Sequence, residues 1–364
     1  MFKDFSRKYI SAFALVSFCA LAAALLIKLT AVIFSPFADF FNRYISFIPR
    51  GILAYATALI PFSLAEAIII MAIPLALIYI IYCATVAARR GKLMRHIFNL
   101  LGTISLVISL FIINFGIAYD CTPIEKKLEI ETGNLTVEDV FNASKIVLEE
   151  IKEVEASLER NKNGEAISPY SFDEMKWALV SEYEKMSKDY SFVSPLSVWP
   201  KRIALSLPMR YTGIVGVYTF FTGEANVNTC QSNYAVCFTA AHEMAHQRGI
   251  APEDEANFVA FLTLYNSNDD FFKYAGLMEV FNYMANAVYN ENEELYYELL
   301  TNFSESILKE YTAEQEYSAQ FYDNIAEEVS SAVNDAYLKL QGQSAGTRSY
   351  GLVTDLATAY FLNK

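Results

Sequence analysis

The chain has 364 residues, 54% of them hydrophobic, and a formal net charge of −13. Residues 1–118 hold ten Lys/Arg against three Asp/Glu, a balance of +7, whereas residues 119–364 hold eighteen against thirty-eight, a balance of −20. This division suits a membrane part followed by one soluble domain, and the acidity of the second part excludes nucleic acid as a partner, because phosphates bind Lys and Arg.

Three apolar stretches in the first part predict transmembrane helices. Each has roughly the 20 residues that a helix needs to cross the hydrocarbon core of a bilayer. The mixed segment 37–64 is too interrupted for a span, and we expect it to be interfacial or re-entrant. Residues 1–118 are therefore predicted to form a membrane domain in contact with lipid, with spans at about 10–33, 67–88 and 97–119.

Positive charge predicts the orientation of these spans. The N-terminus carries Lys3, Arg7 and Lys8, and the loop Arg89–Arg95 carries four positive charges in seven residues. With three spans the two basic segments share one side, which should be the cytoplasm. We expect a multi-pass protein of the cell membrane whose 119–364 domain is extracytoplasmic; a fourth span between residues 51 and 64 would reverse that placement.

The soluble part is predicted to be mainly helical with a small sheet. Apolar residues recur at helical spacing in Thr136–Arg160 and Ser171–Ser187. The β-branched and aromatic runs Ile203–Leu207 and Ile214–Phe221 favour short strands, and Gly223–Asn228 reads as extended. Towards the C-terminus, helical patterns are predicted over residues 271–290, 293–308, 312–340 and 350–362.

The chain contains three histidines, and two of them belong to an HExxH motif, His242-Glu243-Met-Ala-His246. On a helix, residues four apart lie on one face, so both imidazoles can reach one metal ion. Glu243, one step round the helix, is placed to act on a water molecule. These three residues predict a zinc site, with Glu243 as the catalytic residue.

A catalytic zinc site needs a third protein ligand. Pro252 occupies the third-histidine position of the HExxHxxGxxH proteases and cannot coordinate, which excludes that class. Glu253 and Asn257 lie four residues apart on a predicted helix with a small-residue face, whereas Glu255 points elsewhere. We therefore favour Glu253 as the third ligand, keep Glu255 as the alternative, and expect Asn257 to orient a histidine from behind.

Further residues are candidates for handling substrate. Asn226 and Asn228 can bind an extended substrate as an added strand, by analogy with the edge strand of other zincins; simple turn chemistry is the alternative. Tyr350 or Arg348 can donate to the oxyanion of a reacting carbonyl.

Two cysteines near the motif have two possible states. Cys230 and Cys237 flank the beginning of the HExxH helix. In an oxidising space they can form a disulfide that closes a small loop, and two free thiols are the equal alternative.

The HExxH motif and the residues that follow it together resemble known families. His242-Glu-x-x-His246 followed by Glu253-Asp-Glu-Ala-Asn257 is similar to the gluzincin pattern of ImmA/IrrE-type metallopeptidases, which implies Glu253 as the ligand. The stretch from Tyr211-Thr-Gly to Ala260 resembles an uncharacterised family of bacterial, membrane-anchored zincin-like proteins. That resemblance implies a peptidase-type site behind N-terminal spans, without a known substrate.

The sequence thus predicts a membrane-anchored zinc metallopeptidase that hydrolyses peptide bonds of a peptide or protein substrate with a zinc-activated water and Glu243 as general base. Two alternatives stay open. One is a non-catalytic sensor or scaffold with a structural zinc site, and the other is a zinc hydrolase acting on a non-peptide amide of the cell wall.

Overall fold

The structure is a computed structural model that describes residues 9–133, 135–322, 324–341, 343 and 352–364. Its contacts divide the chain into two units. The first contains residues 1–121 together with the short segment 219–224, and the second contains residues 122–218 and 225–364. The chain thus leaves the second unit once, at residues 219–224, and then returns to it. The prediction of a single boundary at residue 118 does not include this excursion.

The first unit is built around three long apolar helices. They lie at Ala12–Ile33 (α1), Leu64–Ala87, of which Leu64–Tyr82 is α4, and Leu93–Asn114 (α5), and each is long and apolar enough to cross a membrane. The predicted spans are confirmed within a few residues, and we treat the protein as membrane-associated. Between α1 and α4 the chain forms Ser35–Phe40 (α2), a π-helical stretch Phe41–Ser46 and Phe47–Ala58 (α3).

The segment 35–58 is tied to the end of the third span by polar groups. The guanidinium of Arg50 is fully buried and donates to Oδ1 of Asn42 at 3.0 Å and to the carbonyl of Asn114 at 3.4 Å. Ser46 donates to the carbonyl of Ile113. Because buried polar groups need partners, these bonds fix the segment against α5.

The second unit is mainly helical, as predicted. Its helices begin at clear caps: Thr136 and Asp139 form a capping box at the first long helix, and Ser171 and Glu174 form another. The helices are Ile124–Lys127 (α6), Val137–Glu155 (α7), Phe172–Asp189 (α8), Ser206–Arg210 (α9), Asn233–Gln247 (α10), Glu253–Tyr265 (α11), Asp270–Glu291 (α12), Glu293–Thr301 (α13), Glu305–Ser318 (α14), Ile325–Leu340 (α15) and Leu352–Leu362 (α16).

Apolar packing around α12 forms the core of the second unit. This helix packs against α7, α10 and α11, and α16 closes the core against α7, α11 and α12. Burial of large aromatic side chains is the main stabilising term in such a core. Fully buried examples are Phe258, Phe261, Phe271, Phe272 and Phe281.

A three-stranded sheet lies beside this helical core. The strands are Lys201–Arg202 (β1), Gly216–Thr219 (β2) and Glu224–Val227 (β3), in the order β1-β3-β2. β1 runs parallel to β3, with Lys201 opposite Asn226. The predicted strand over Ile203–Leu207 is wrong, because Ser206 donates to the carbonyl of Ile203 at 2.7 Å and a helix begins there.

Two predicted helices are each interrupted. Ser304 accepts from the backbone N–H of Ile307 at 3.1 Å and begins α14. Asn324 accepts from Ala326 at 2.9 Å and begins α15. Side chains that cap a helix compete with continuation of the preceding one, so both predicted helices, 293–308 and 312–340, break at these caps.

Candidate metal centre

The two motif histidines project from α10 on the same face. Their ring centroids lie 4.6 Å apart. Glu253 is the first residue of α11, which packs against α10, and its Oε2 lies 3.2 Å from Nε2 of His242 and 3.5 Å from Nε2 of His246. The chain returns so directly because Gly249 adopts φ +97, in the left-handed region that ends a helix.

His242, His246 and Glu253 offer one ligand atom each, and these atoms all lie within 4.8 Å of one another. Two imidazole nitrogens and one carboxylate oxygen are a common donor set of catalytic zinc sites. The donors are close enough for one ion to bind all three with small side-chain adjustments. The side chains of His242 and Glu253 keep 13% and 15% of their surface exposed, so the group can be reached from solvent.

The hydrogen bonding of His246 suits a metal ligand. Its Nδ1 lies 2.7 Å from the carbonyl oxygen of Ile250, an acceptor that requires Nδ1 to carry the proton. In the neutral imidazole the lone pair is then on Nε2, which faces Glu253. A backbone carbonyl behind a ligand imidazole is a usual way of fixing its tautomer and orientation.

Asn257, predicted to orient a histidine from behind, lies in the interior of the second unit. Asn257 is 2% exposed, and its Nδ2 has no hydrogen-bond partner among the described residues; the same holds for Nδ1 of His242. The structure thus places Asn257 in the interior, and its role toward a histidine stays a prediction.

Mutual attraction dominates the electrostatics of the ligand group. Burial works against charge on Glu253, but His246 and His242 hold the pKa of its carboxyl well below the usual range. Burial likewise lowers the pKa of His246, yet the Glu253 carboxylate more than offsets this and raises it to about 9. A carboxylate that holds two imidazoles in place preorganises the group.

Glu243 lies beside this group in a different environment. It is 4% exposed, and burial raises the pKa of its carboxyl to about 7, against the opposing influence of the two histidines. The backbone N–H of Tyr218 in β2 donates to the carboxylate. Oε2 has no hydrogen-bond partner within the described part of the chain. A carboxyl with a pKa near neutrality and a free oxygen is suited to accept and release a proton.

Gly216 allows β2 to approach Glu243. A Cβ at this position would lie 2.8 Å from Cγ of Glu243 and 2.8 Å from Cγ2 of Thr239, closer than side chains tolerate. Sequence reasoning missed both Gly216 and the N–H of Tyr218. The available signal was the glycine inside an otherwise apolar, β-branched run, which marks a close backbone approach.

Arg248 fixes the end of the motif helix. Its side chain is fully buried, donates to the carbonyls of Leu196 at 2.6 Å and Val198 at 3.2 Å, and lies 4.4 Å from the ring centroid of Tyr183. Such a bonded guanidinium holds the C-terminal turn of α10, and with it His246, against the preceding segment.

Glu255 points away from the histidines. Its Oε1 accepts from the backbone N–H of Ile124 at 3.2 Å, at the beginning of α6. The structure therefore brings Glu253, and not Glu255, to the two imidazoles.

Asn226 and Asn228 are occupied internally. Nδ2 of Asn226 donates to Val217 at 3.2 Å, and Nδ2 of Asn228 donates to the carbonyls of Ser206 and Ile214 at 2.9 and 3.1 Å. Both residues are at most 1% exposed, and β3 is the central strand of the sheet. The prediction that this segment offers an open edge to an extended substrate is wrong, since both edges of β3 are already paired.

Tyr350 and Arg348 lie outside the described residues. All five cysteines are free thiols: Sγ of Cys230 lies 2.8 Å from the Tyr317 hydroxyl, and Cys237 is buried in the core. Of the two states predicted for Cys230 and Cys237, the structure therefore has the thiols.

Comparison with protein families gives one match. A model of the family described as "Protein of unknown function (DUF3810)" matches residues 41–358. The chain belongs to this family. The match begins in the helical segment before the second span and extends over the ligand group, so both units are part of the family pattern. No curated protein and no solved structure matches the chain.

Proposed function

We propose that this protein is a membrane-anchored zinc metallopeptidase, with His242, His246 and Glu253 as metal ligands and Glu243 as general base. The observation that carries the proposal is the convergence of three ligand atoms within 4.8 Å beside a buried carboxylate that is not one of them. A ligand group alone would bind metal; the additional carboxylate supplies the proton transfer that hydrolysis needs.

The residues divide the work of hydrolysis. When bound, zinc supplies Lewis-acid chemistry, acidifying water and polarising a carbonyl group. Oε2 of Glu243 accepts a proton from the attacking water and returns it to the amine nitrogen that leaves. The N–H of Tyr218 donates to the carboxylate and so limits its rotation.

The ligand number favours catalysis over a structural zinc site. A structural site is normally closed by a fourth protein ligand. Among the residues that the structure describes, the group comprises three side chains, two of them partly exposed. The solvent-exposed side of this group suits a water molecule and a substrate carbonyl. Peptide is the proposed substrate class on the basis of the resemblance to gluzincins.

Charge distribution supports an extracytoplasmic catalytic domain. The loop Arg89–Arg95 joins the second and third spans, and the beginning of α4 and the end of α5 lie at the opposite end of those spans. Basic loops stay in the cytoplasm, so residues 122–364 belong outside in this proposal. Reporter fusions at the C-terminus test it, and a cytoplasmic signal would contradict it.

The test of the activity uses the full-length chain in detergent. Bound metal is measured by elemental analysis, and cleavage is measured on a broad peptide mixture. Glu243→Gln should keep zinc and lose turnover by about 10²- to 10⁴-fold, the usual worth of a general base, whereas His242→Ala should lose both. Wild-type protein without bound zinc would overturn the proposal; full turnover in Glu243→Gln would overturn the mechanism.

A further inference from the structure

The turn between β2 and β3, residues 219–224, belongs to the first unit by its contacts. We call it the β2–β3 turn. It is closed internally by a hydrogen bond of 2.7 Å from the N–H of Gly223 to the carbonyl of Thr219. Two of its carbonyls accept from the spanning unit: that of Thr222 from Oγ1 of Thr57 at 3.1 Å, and that of Phe220 from Nδ2 of Asn114 at 3.1 Å.

The turn lies directly on the backbone of α3. Gly223 adopts φ +70, and a Cβ there would be 2.7 Å from the backbone nitrogen of Ala54 and 3.1 Å from the carbonyl oxygen of Arg50. Neither obstacle is a side chain that can move aside. Glycine is therefore required twice at this position, for its backbone conformation and for the close approach.

Glu224 makes the strongest attachment of the turn. It is 1% exposed, and its two carboxylate oxygens accept from the backbone N–H groups of Leu64 at 3.0 Å and Ala65 at 2.7 Å. These are the first residues of α4, where unpaired N–H groups and the helix dipole favour a negative charge. A bidentate carboxylate at this point fixes the start of the second span to the first residue of β3.

The strands on either side of the turn lead to the general base. β3 begins at Glu224 itself, and β2 ends at Thr219. Within β2, Gly216 is in close contact with Glu243, and the N–H of Tyr218 donates to its carboxylate. Only two residues separate Gly216 from Thr219, where the turn begins, so a fixed turn fixes the strand that holds Glu243.

We propose that Glu224 is a positioning residue for Glu243, acting through the β2–β3 turn. It anchors the turn to the first turn of the second span and thereby fixes the edge of β2 that orients the general base. The inference rests on the proposed function for its effect on turnover, but the anchoring itself does not.

The test compares full-length Glu224→Gln with wild type in detergent micelles. Glutamine keeps the size, but its NH₂ group faces a backbone N–H, so one of the two bonds is lost and replaced by an opposed donor. We expect unchanged zinc content, a kcat lower by about 10- to 100-fold as for a small misplacement of a catalytic group, and a KM close to wild type. Glu224→Asp, which keeps the charge, should restore part of kcat.

Hydrogen exchange provides a readout that does not need turnover. The N–H groups of residues 216–219 and 64–66 should exchange faster in Glu224→Gln, while those of α11 should not change. Asp139→Asn is the matched control, because Asp139 caps α7 in the same chemical way, with Thr136, but far from the turn in sequence. It should leave both kcat and exchange of 216–219 at wild-type values.

Each outcome decides a separate question. Wild-type exchange and wild-type kcat in Glu224→Gln would overturn the positioning role. Absence of turnover in the wild type would overturn the proposed function, and exchange would still decide whether Glu224 holds β2. Should Glu224→Gln not fold, Glu224→Asp, which keeps the charge but shortens the side chain, decides in the same two measurements: no change in either would overturn the proposal.

Discussion

Glu253 and Glu255 are two residues apart at the beginning of α11, and the helix sends their carboxylates to different partners. Glu253 faces the two imidazoles, whereas Glu255 accepts from the backbone of Ile124. The two carboxylates have different partners because residues two apart on a helix point in nearly opposite directions. One of these neighbouring acids therefore belongs to the group that could hold a metal ion, and the other holds the backbone at the beginning of α6.

This division predicts opposite effects of two identical substitutions. Glu253→Gln removes the charge of the proposed third ligand and should weaken zinc binding by more than about 100-fold, since even supporting partners of ligands are worth 10- to 100-fold. Glu255→Gln should keep wild-type affinity, because the amide oxygen can still accept from Ile124. Zinc affinity is measured by competition with a chelator of known strength. The reverse pattern would assign the third ligand to Glu255.

At the scale of elements, β2 is the strand on which the proposed chemistry depends. Its backbone approaches Glu243 so closely that only glycine fits at position 216. Gly216→Ala should displace the carboxylate or the strand, with kcat reduced by about 10- to 100-fold and zinc retained. Steady-state kinetics on a cleaved peptide, together with elemental analysis, check both expectations.

A second glycine serves as the control that separates the loss of space beside Glu243 from the general effect of replacing glycine by alanine. Gly133 has no atom within 4 Å of an added Cβ, so Gly133→Ala should leave kcat unchanged. Equal activity of Gly216→Ala and wild type would contradict the role given to β2.

Elements differed in how far the sequence could predict them. The three spans follow from hydrophobic length alone, and their positions are confirmed within a few residues. The helix α10, which carries the HExxH motif, and the following helix α11 can be predicted from the spacing of their residues. The same spacing also favours Glu253 over Glu255. These features are local, so a single sequence is enough to predict them.

Other features depend on partners that are distant in sequence. Pairing of β3 with β1 and β2 closes the edge that Asn226 and Asn228 were expected to offer, and no local pattern indicates which strand is central. The role of Gly216 depends on Glu243, twenty-seven positions later, and that of Glu224 depends on Leu64 and Ala65, in a different part of the chain. Such contacts cannot be read from periodicity.

On the scale of the whole molecule, acidity affects the stability of the second unit. This unit carries most of the 41 Asp and Glu residues of the chain, and some of their carboxyls lie in its interior. Burial raises the pKa of Glu279 in α12 to about 7, and repulsion from Glu314 in α14 adds to the shift, while a hydrogen bond from Asn282 opposes it. Ionisation of this carboxyl therefore costs free energy in the folded state that the unfolded chain does not incur.

The sign of the resulting pH dependence follows from linkage. The pKa of Glu279 is about 7 when folded and 4.5 in the reference state, so its stabilising contribution is complete below about pH 4.5 and is lost as pH rises through about 7. One pKa unit corresponds to about 1.4 kcal/mol; because Glu279 keeps some access to solvent, we expect a loss on the order of 2 kcal/mol between pH 5 and 8.

Substitution of Glu279 tests this expectation in the full-length protein. Glu279→Gln should reduce the loss of folding stability with rising pH. The Tm of the variant relative to wild type should therefore rise by about 5 °C between pH 5 and pH 8. Glu305→Gln is the control on neighbouring α14: its exposed carboxyl has a pKa lowered by Lys309 and is ionised throughout that window, so the difference from wild type should not depend on pH. Taking differences between variant and wild type cancels the contribution of the proposed metal ligands, which titrate equally in both. A Glu279→Gln curve parallel to that of the wild type would show that this carboxyl does not limit stability at neutral pH.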